Sequence, residues 1–254
     1  MSIVIAALDN SAAAEPVVAT AIRLAELYSA ETQAVHVREN GSEVAMAATR
    51  TANLELQSIT GRPVDQLVAA AREPAVRAIV VGARGRPSGR RPAGRTVLAL
   101  ITSIGKPVVV VPPDVSRPER IESVLVPLDG TRASAAALAG TIGLARESGL
   151  EVVVLHVSEE ERLPRFSDHL QHEARVWAEE FIARNCPLPP EEVRLELRVG
   201  KPDEHLVQVA LETEADLMAM GWSQDLDAGH AAVVREALAR SPVPILLLPV
   251  KAAG

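Results

Sequence analysis

The chain has 254 residues, of which 48% are hydrophobic, 23% are charged and only 2% are aromatic, so we expect a globular protein with a mostly aliphatic core. Its formal net charge of −7 argues against nucleic acid as a partner. No apolar run reaches the roughly 18 residues of a membrane span, so no membrane association is expected. Cys186 is the single cysteine, and no basic segment precedes the first apolar run. We therefore expect a cytoplasmic protein without a disulfide or a signal peptide.

Short apolar runs bounded by turn residues alternate with helical patterns, which predicts strands and helices in alternation. The first five predicted strands are Ile3–Leu8, Gln33–Val37, Leu54–Ile59, Val76–Val81 and Val108–Val111. The helices between them are predicted at about Ala13–Ser29, Val64–Arg72 and Thr96–Ser103, with a short stretch near Ser42–Arg50. The next five predicted strands are Val124–Leu128, Val152–Val157, Val193–Val199, Leu217–Met220 and Ile245–Leu248. Their helices are predicted at about Ala133–Glu147, Ser167–Asn185, Asp203–Thr213 and His230–Ala239.

The second part of the chain repeats landmarks of the first. Asp9 ends one apolar run and Asp129 another, and a His-Val pair follows each aspartate after 27 residues. A Gly-x-Pro triplet precedes a later glycine by 21 residues in both parts. Because these landmarks recur in the same order, we expect an α/β protein of two tandem Rossmann-like domains, each a five-stranded, mainly parallel sheet with helices on both faces. The expected domains are residues 1–113 and 122–254, joined by a polar linker at 114–121.

The loop after the fourth predicted strand combines glycines with arginines. Residues 82–96 read Gly-Ala-Arg-Gly-Arg-Pro-Ser-Gly-Arg-Arg-Pro-Ala-Gly-Arg-Thr and precede a predicted helix. Glycines let backbone amides approach an anion, a helix N-terminus adds partial positive charge, and guanidinium groups suit phosphate oxygens. Ligands of open α/β sheets bind beyond the carboxyl ends of the strands, where this loop is expected. Two interpretations stay open: a phosphate-binding loop, or a solvated arginine-rich loop that contacts an acidic partner.

The strand that ends in Asp9, the His36-Val37 pair, Gly61-x-Pro63 and the Gly-x-x-Gly after the fourth strand resemble the universal stress protein family, here as two domains in tandem. The resemblance covers essentially the whole chain. Nucleotide-binding members of that family hold ATP phosphates with the motif Gly-x2-Gly-x9-Gly-Ser/Thr, so the resemblance implies ATP, with or without Mg²⁺, as the ligand. The implied contacts are Asp9, Val37, Gly82, Arg84, Gly85, Gly94, Arg95 and Thr96.

Both domains depart from the family motif. In the first domain eight residues, not nine, separate Gly85 from Gly94, and Arg95 stands where serine or threonine is expected, with Thr96 one place later. The second domain departs further, so we expect it to be a partner domain without a bound nucleotide. Its departures are Gln224 in place of the second glycine, Ala231–Val233 in place of the glycine and the hydroxyl, bulky Trp222 after Gly221, and acidic Asp225 and Asp227.

Three functions follow from this interpretation. The favoured one is a regulatory or stress-response protein that binds an adenine nucleotide in its first domain. The alternative is an interaction or scaffold protein in which both sites are degenerate, and a weaker one is an adenine nucleotide hydrolase. The sequence contains neither a nucleophile elbow nor a Walker lysine, so we expect at most slow ATP hydrolysis and no catalytic residue.

Two further expectations concern partners and metals. The resemblance implies that the terminal strands of the two domains, Val108–Val111 and Ile245–Leu248, pair antiparallel inside one chain, and it leaves a homodimer of the full chain open. His169 and His172 share a predicted helix face, but no third ligand follows at a recognisable spacing, so no metal site is expected.

Overall fold

A computed structural model describes residues 1–38, 41–83, 93–113, 115, 119–158, 170–226 and 231–250. Within them the strands are β1 (Ile3–Leu8), β2 (Glu31–Arg38), β3 (Leu56–Thr60), β4 (Val76–Gly82), β5 (Val108–Val111), β6 (Ser123–Pro127), β7 (Glu151–Ser158), β8 (Arg194–Val199), β9 (Leu217–Trp222) and β10 (Ile245–Pro249). The helices are α1 (Ala14–Leu27), α2 (Glu43–Thr51), α3 (Pro63–Arg72), α4 (Arg95–Ser103), α5 (Arg132–Glu147), α6 (Leu170–Asn185), α7 (Pro202–Glu212) and α8 (Ala232–Arg240). The predicted alternation of strands and helices is confirmed.

Two predicted strands begin later than expected because the first residue of each one donates its backbone N–H to a carbonyl of the preceding turn. The Leu54 N–H donates to the Thr49 carbonyl at 2.9 Å, which closes the end of α2 and delays β3 to Leu56. The Val193 N–H donates to the Pro190 carbonyl at 3.3 Å in a short 3-10 turn, which delays β8 to Arg194. The expected starts of the helices at Ser167 and His230 lie outside the described residues.

The strands form one ten-stranded sheet in the order β3-β2-β1-β4-β5-β10-β9-β6-β7-β8. Each half of the chain contributes five parallel strands in the same relative order, so the α/β architecture of two Rossmann-like units is confirmed. The halves meet where β5 and β10 pair antiparallel, with Leu246 opposite Val109. In each half the strand order reverses beside the first strand, between β1 and β4 and between β6 and β9. That reversal opens a crevice at the carboxyl ends of the strands.

Alternate side chains of each buried strand pack into two aliphatic cores, one on each face of the sheet. Val4, Ala6 and Leu8 of β1 belong to the core that also contains residues of α1, α2, α5 and α6, whereas Ile5 belongs to the core that contains residues of α3, α4, α7 and α8. Strands covered on both faces read as continuous apolar runs. This is why the central strands were recognisable from sequence although aromatic residues are scarce.

The sheet ends in two polar edge strands. β3 carries Gln57, Ser58 and Thr60, and β8 alternates Arg194, Glu196 and Arg198 with aliphatic residues. Arg198 bonds both Glu196, at 2.9 Å, and Glu212 of α7, at 2.8 Å, and its hydrogen bond lowers the pKa of Glu212. Charged side chains on an edge strand oppose pairing with another sheet. The described helices include none that is both long and apolar enough to cross a membrane.

Candidate functional site

A cavity of 310 Å³ opens at the carboxyl ends of β1, β2 and β4, the reversal point of the first half. Five of the residues predicted as ATP contacts line it, although they come from widely separated parts of the chain. They are Asp9, Val37, Gly82, Gly94 and Thr96. Arg84 and Gly85 lie outside the described residues, and their predicted roles stay predictions. Arg95 and Thr96 are both exposed, but Thr96 belongs to the lining of the cavity and Arg95 does not.

The N-terminus of α4 is oriented towards this cavity. Gly94 is its N-cap, with φ −63° and ψ 152°, and no described side chain caps the end. The first helical hydrogen bond runs from Leu98 N–H to Gly94 O at 3.0 Å, so the amides of residues 95–97 precede it and have no acceptor within the helix. Thr96 and Val97, in that first turn, both line the cavity. An uncapped helix start of this kind attracts an anion.

Asp9 is held at the mouth of the cavity by the turn that starts α1. Ser11 Oγ donates to Asp9 Oδ1 and accepts from the Ala13 amide at 3.2 Å. Asp9 is otherwise exposed, and a carboxylate accepts several hydrogen bonds, so it has capacity for hydroxyl donors of a ligand. The arrangement can therefore bind a polyhydroxylated group beside an anion site.

Asn10 is a site residue that the sequence reasoning missed. Its Oδ1 accepts from the Val44 amide at 2.7 Å and its Nδ2 donates to Glu43 at 3.2 Å, which fixes the start of α2 next to the cavity that Asn10 itself lines. The available signal was its position directly after Asp9 at a strand end, where short polar side chains cap helices.

Apolar side chains form the inner wall of the same cavity. Leu67 of α3, and Val97 and Leu100 of α4, are buried and line it together with Val35 and Val81 from the strands. Their spacing in the sequence indicated only core positions of helices and strands. The cavity thus combines an apolar inner part with a polar mouth, the usual construction of a small-molecule site.

His36 and His156, which recur on the second strand of each half, share one structural role. His36 Nδ1 donates to the Leu8 carbonyl at 2.9 Å, and His156 Nδ1 donates to the Leu128 carbonyl at 2.8 Å, because a carbonyl oxygen can only accept. Each bond ties the end of one strand to its neighbour just before the site. Both imidazoles also line the cavity of their half.

The second half has a larger cavity, of 740 Å³, at the equivalent carboxyl ends. Asp129 lies at its mouth and accepts from the Thr131 amide and Oγ1, both at 2.8 Å, and from Ser134 Oγ at 3.0 Å. Both tryptophans of the chain, Trp177 and Trp222, line its walls. The described residues contain no group of His, Cys, Asp or Glu side chains suited to a metal ion.

The profile of the Universal stress protein family matches residues 120–249, just over half of the chain. The chain belongs to the universal stress protein family. No curated protein sequence matches this member of the family.

Solved structures show the same fold over almost all of this universal stress protein. A universal stress protein from Archaeoglobus fulgidus superposes with a TM-score of 0.69 at 18% sequence identity, and the match covers 98% of each chain. A functionally unknown protein from Pseudomonas aeruginosa superposes with a TM-score of 0.71 at 12% identity, covering 98% of this chain and 93% of the other. Similarity at these identities establishes the fold.

One departure from the family motif has a structural explanation. Gln224 follows Gly221 by three residues, as Gly85 follows Gly82, and its backbone is left-handed with φ 60°. Its Nε2 donates to the carbonyls of Ile101, at 2.9 Å, and Ile104, at 2.8 Å, at the C-terminal end of α4. The residue that replaces a loop glycine in this universal stress protein therefore caps a helix of the other half.

Proposed function

We propose that the first half, taken as a domain of residues 1–113, binds an adenine nucleotide, ATP above all, as a regulatory ligand in a cytoplasmic stress response. The observation that carries this proposal is the convergence of Asp9, Val37, Gly82, Gly94 and Thr96 on one cavity beside the uncapped start of α4. Family membership supports it, because these positions are the ones at which the chain resembles nucleotide-binding members.

Each part of the cavity suits one part of the ligand. The apolar wall of Val35, Leu67 and Leu100 receives the flat base, Asp9 accepts from the ribose hydroxyls, and Thr96 with the first-turn amides of α4 receives phosphate oxygens. A volume of 310 Å³ lies at the lower end of the range for ligand pockets, about 300–1,000 Å³. The cavity therefore encloses the nucleoside part, and the phosphates extend past Gly94 to the outside.

The test is to identify the nucleotide that accompanies the freshly purified protein. Denaturation and mass spectrometry should release one adenine nucleotide per chain, and calorimetric titration of emptied protein with ATP, with and without Mg²⁺, should give one site. Absence of both a bound nucleotide and any heat of binding would contradict the proposal. Two nucleotides per chain would contradict its restriction to the first half.

A second function is favoured by one observation, the exposure of Arg95 outside the cavity lining. Together with the arginines at 84, 86, 90 and 91, it would present positive charge to an acidic protein partner. An interaction module of this kind needs the arginines and tolerates bulkier residues at Gly82 and Gly94. Replacing Arg86, Arg90 and Arg91 by glutamine would then abolish partner capture without changing ATP binding, whereas a nucleotide sensor depends on the glycines.

A further inference from the structure

We propose that Gln224 of the second half is a positioning residue for the first-half cavity, because it fixes the direction in which the uncapped start of α4 faces the ligand. This inference deepens the function proposed for the first half and rests on it for the identity of the ligand, an adenine nucleotide. It assigns the second half a task other than ligand binding, which is to hold one helix of the neighbouring half.

Hydrogen bonds to residues outside the helix hold α4 at both of its ends. At the start, the Gly94 N–H donates to the Ala83 carbonyl at 2.9 Å, which ties the helix to the end of β4. At the other end, Gln224 Nε2 donates to the carbonyls of Ile101, at 2.9 Å, and Ile104, at 2.8 Å. A single hydrogen bond at the start acts as a hinge, so the direction of the helix depends on the contact at its far end.

The buried face of α4 cannot replace that contact. Val97, Leu100 and Ile101 form this face and pack in an aliphatic core. Apolar burial keeps the helix on the sheet but is not directional, whereas a hydrogen bond weakens steeply when its angle changes. The helix has nine residues, and at about 1.5 Å per residue Thr96 lies roughly 8 Å along the axis from Ile101. A tilt at one end of so short a helix therefore reaches the cavity.

The loop that carries Gln224 is itself fixed to the second half. On one side of Gln224, the Val250 N–H donates to the Trp222 carbonyl at 2.8 Å, which continues the sheet. On the other side, Arg235 of α8 donates to the Leu226 carbonyl. The loop thus extends from β9 to α8, and Gln224 at its middle reaches across the boundary between the halves.

This support is one-sided. Gly85 is the counterpart of Gln224 in the first half and has no side chain that could reach α8. The end of α8 is instead closed within its own half, where Ser241 Oγ donates to the Val243 carbonyl at 2.7 Å. In α4 the equivalent position is Ile104, three residues before the proline that precedes the last strand. The helix at the proposed nucleotide site is therefore the one that depends on the other half.

ATP affinity, measured by calorimetric titration well below the unfolding temperature, tests this role. Gln224→Gly permits the same left-handed backbone without a side chain, and Gln224→Met keeps the length but not the donors. We expect each change to lower the population of the correctly directed helix to about one third or less, so that the apparent affinity falls about threefold or more. Ser241→Ala, which opens the turn after α8, is the matched control and should bind ATP normally.

Unchanged ATP affinity in both Gln224 variants would overturn the proposal. An equal loss of affinity in Ser241→Ala would overturn it as well, because the effect would then follow from weakening any helix end.

Hydrogen exchange of the ligand-free protein tests the same contact without a nucleotide. The helical amides from Leu98 to Ile104 should exchange about threefold or more faster in Gln224→Gly and Gln224→Met, while those of α3 keep their rates. Gln224→Lys should restore slow exchange, because an ammonium group can donate to both carbonyls and suits the C-terminal end of a helix. No acceleration in α4, or equal acceleration in α3 and α4, would overturn the role of Gln224.

The two measurements separate this inference from the function proposed for the first half. If the unsubstituted protein binds no ATP, the nucleotide assignment is wrong, and hydrogen exchange still decides whether Gln224 positions α4. If the unsubstituted protein binds one ATP and the Gln224 variants bind it equally well, the first-half function stands and only the present inference is overturned.

Discussion

Gly94 is a glycine that the fold itself does not require. Among the described residues, a Cβ built there would meet the Ala83 carbonyl oxygen alone, at 3.6 Å, which is an ordinary van der Waals contact, and its φ of −63° is open to any residue. Gly221 differs, because a Cβ there would come within 3.1 Å of Val250 and within 3.6 Å of the Ser134 backbone. A side chain at Gly94 would therefore be tolerated by the described residues, so a substitution there tests the proposed phosphate site without disturbing the fold.

Gly94→Val should leave thermal stability unchanged within a degree or two while reducing affinity for ATP about tenfold or more, because the branched side chain stands between the phosphates and the start of α4. Differential scanning fluorimetry and calorimetric titration measure the two effects. Gly105→Ala, beyond the other end of α4, is the matched control, since a Cβ there meets no atom within 4 Å. Full ATP affinity in Gly94→Val would contradict the phosphate site.

At the scale of elements, α4 connects the two halves. Its N-terminal turn lines the first-half cavity, and its C-terminal carbonyls receive Gln224 from the loop after β9. Gln224 therefore supports a helix whose other end belongs to the proposed nucleotide site. The sequence predicted both α4 and the loss of glycine at position 224, but the pairing of the two required the β5–β10 contact that brings the halves together.

Gln224→Asn tests that support, because asparagine also tolerates a positive φ but is one methylene too short to reach both carbonyls. We expect the free energy of unfolding in urea to fall by about 1–2 kcal/mol through the loss of the helix-capping bonds. Gln57→Asn on the edge strand β3 serves as control: Gln57 Oε1 accepts from Gln33 Nε2, but that hydrogen bond is exposed to water, so its loss should cost little. If Gln224→Asn were as stable as the unsubstituted protein, the hydrogen bonds from Gln224 to the end of α4 would not stabilise the contact between the halves.

At the scale of the whole molecule, β5 of the first half pairs antiparallel with β10 of the second half. This pairing covers one strand edge in each half that would otherwise be exposed. All four residues of β5 are buried, and Val109 and Val110 have no exposed surface. An apolar, unpaired edge strand promotes association with another chain. The proposed domain of residues 1–113 therefore carries, on β5, the strand edge through which it pairs with the second half.

Residues 1–113 expressed alone should dimerise or aggregate, and adding residues 122–254 should convert that material into a one-to-one complex. Analytical ultracentrifugation distinguishes these states, and the full chain at equal concentration provides the reference. A soluble, monodisperse monomer of the isolated first domain would show that the β5 edge is not what holds the halves together.

The sequence alone determined the elements, their duplication and the family. Continuous aliphatic runs such as Val108–Val111 specify buried strands, and the recurrence of Asp9 and Asp129 before their His-Val pairs specifies the repeat, because each signal is local or periodic. The tertiary structure decided which residues share a cavity. The lining of the first-half cavity includes Thr96, Asn10 and Leu67 but not Arg95, and the lining of the second-half cavity includes both tryptophans. Those contacts join residues far apart in the chain, and their geometry depends on strand order and helix orientation, which spacing does not encode.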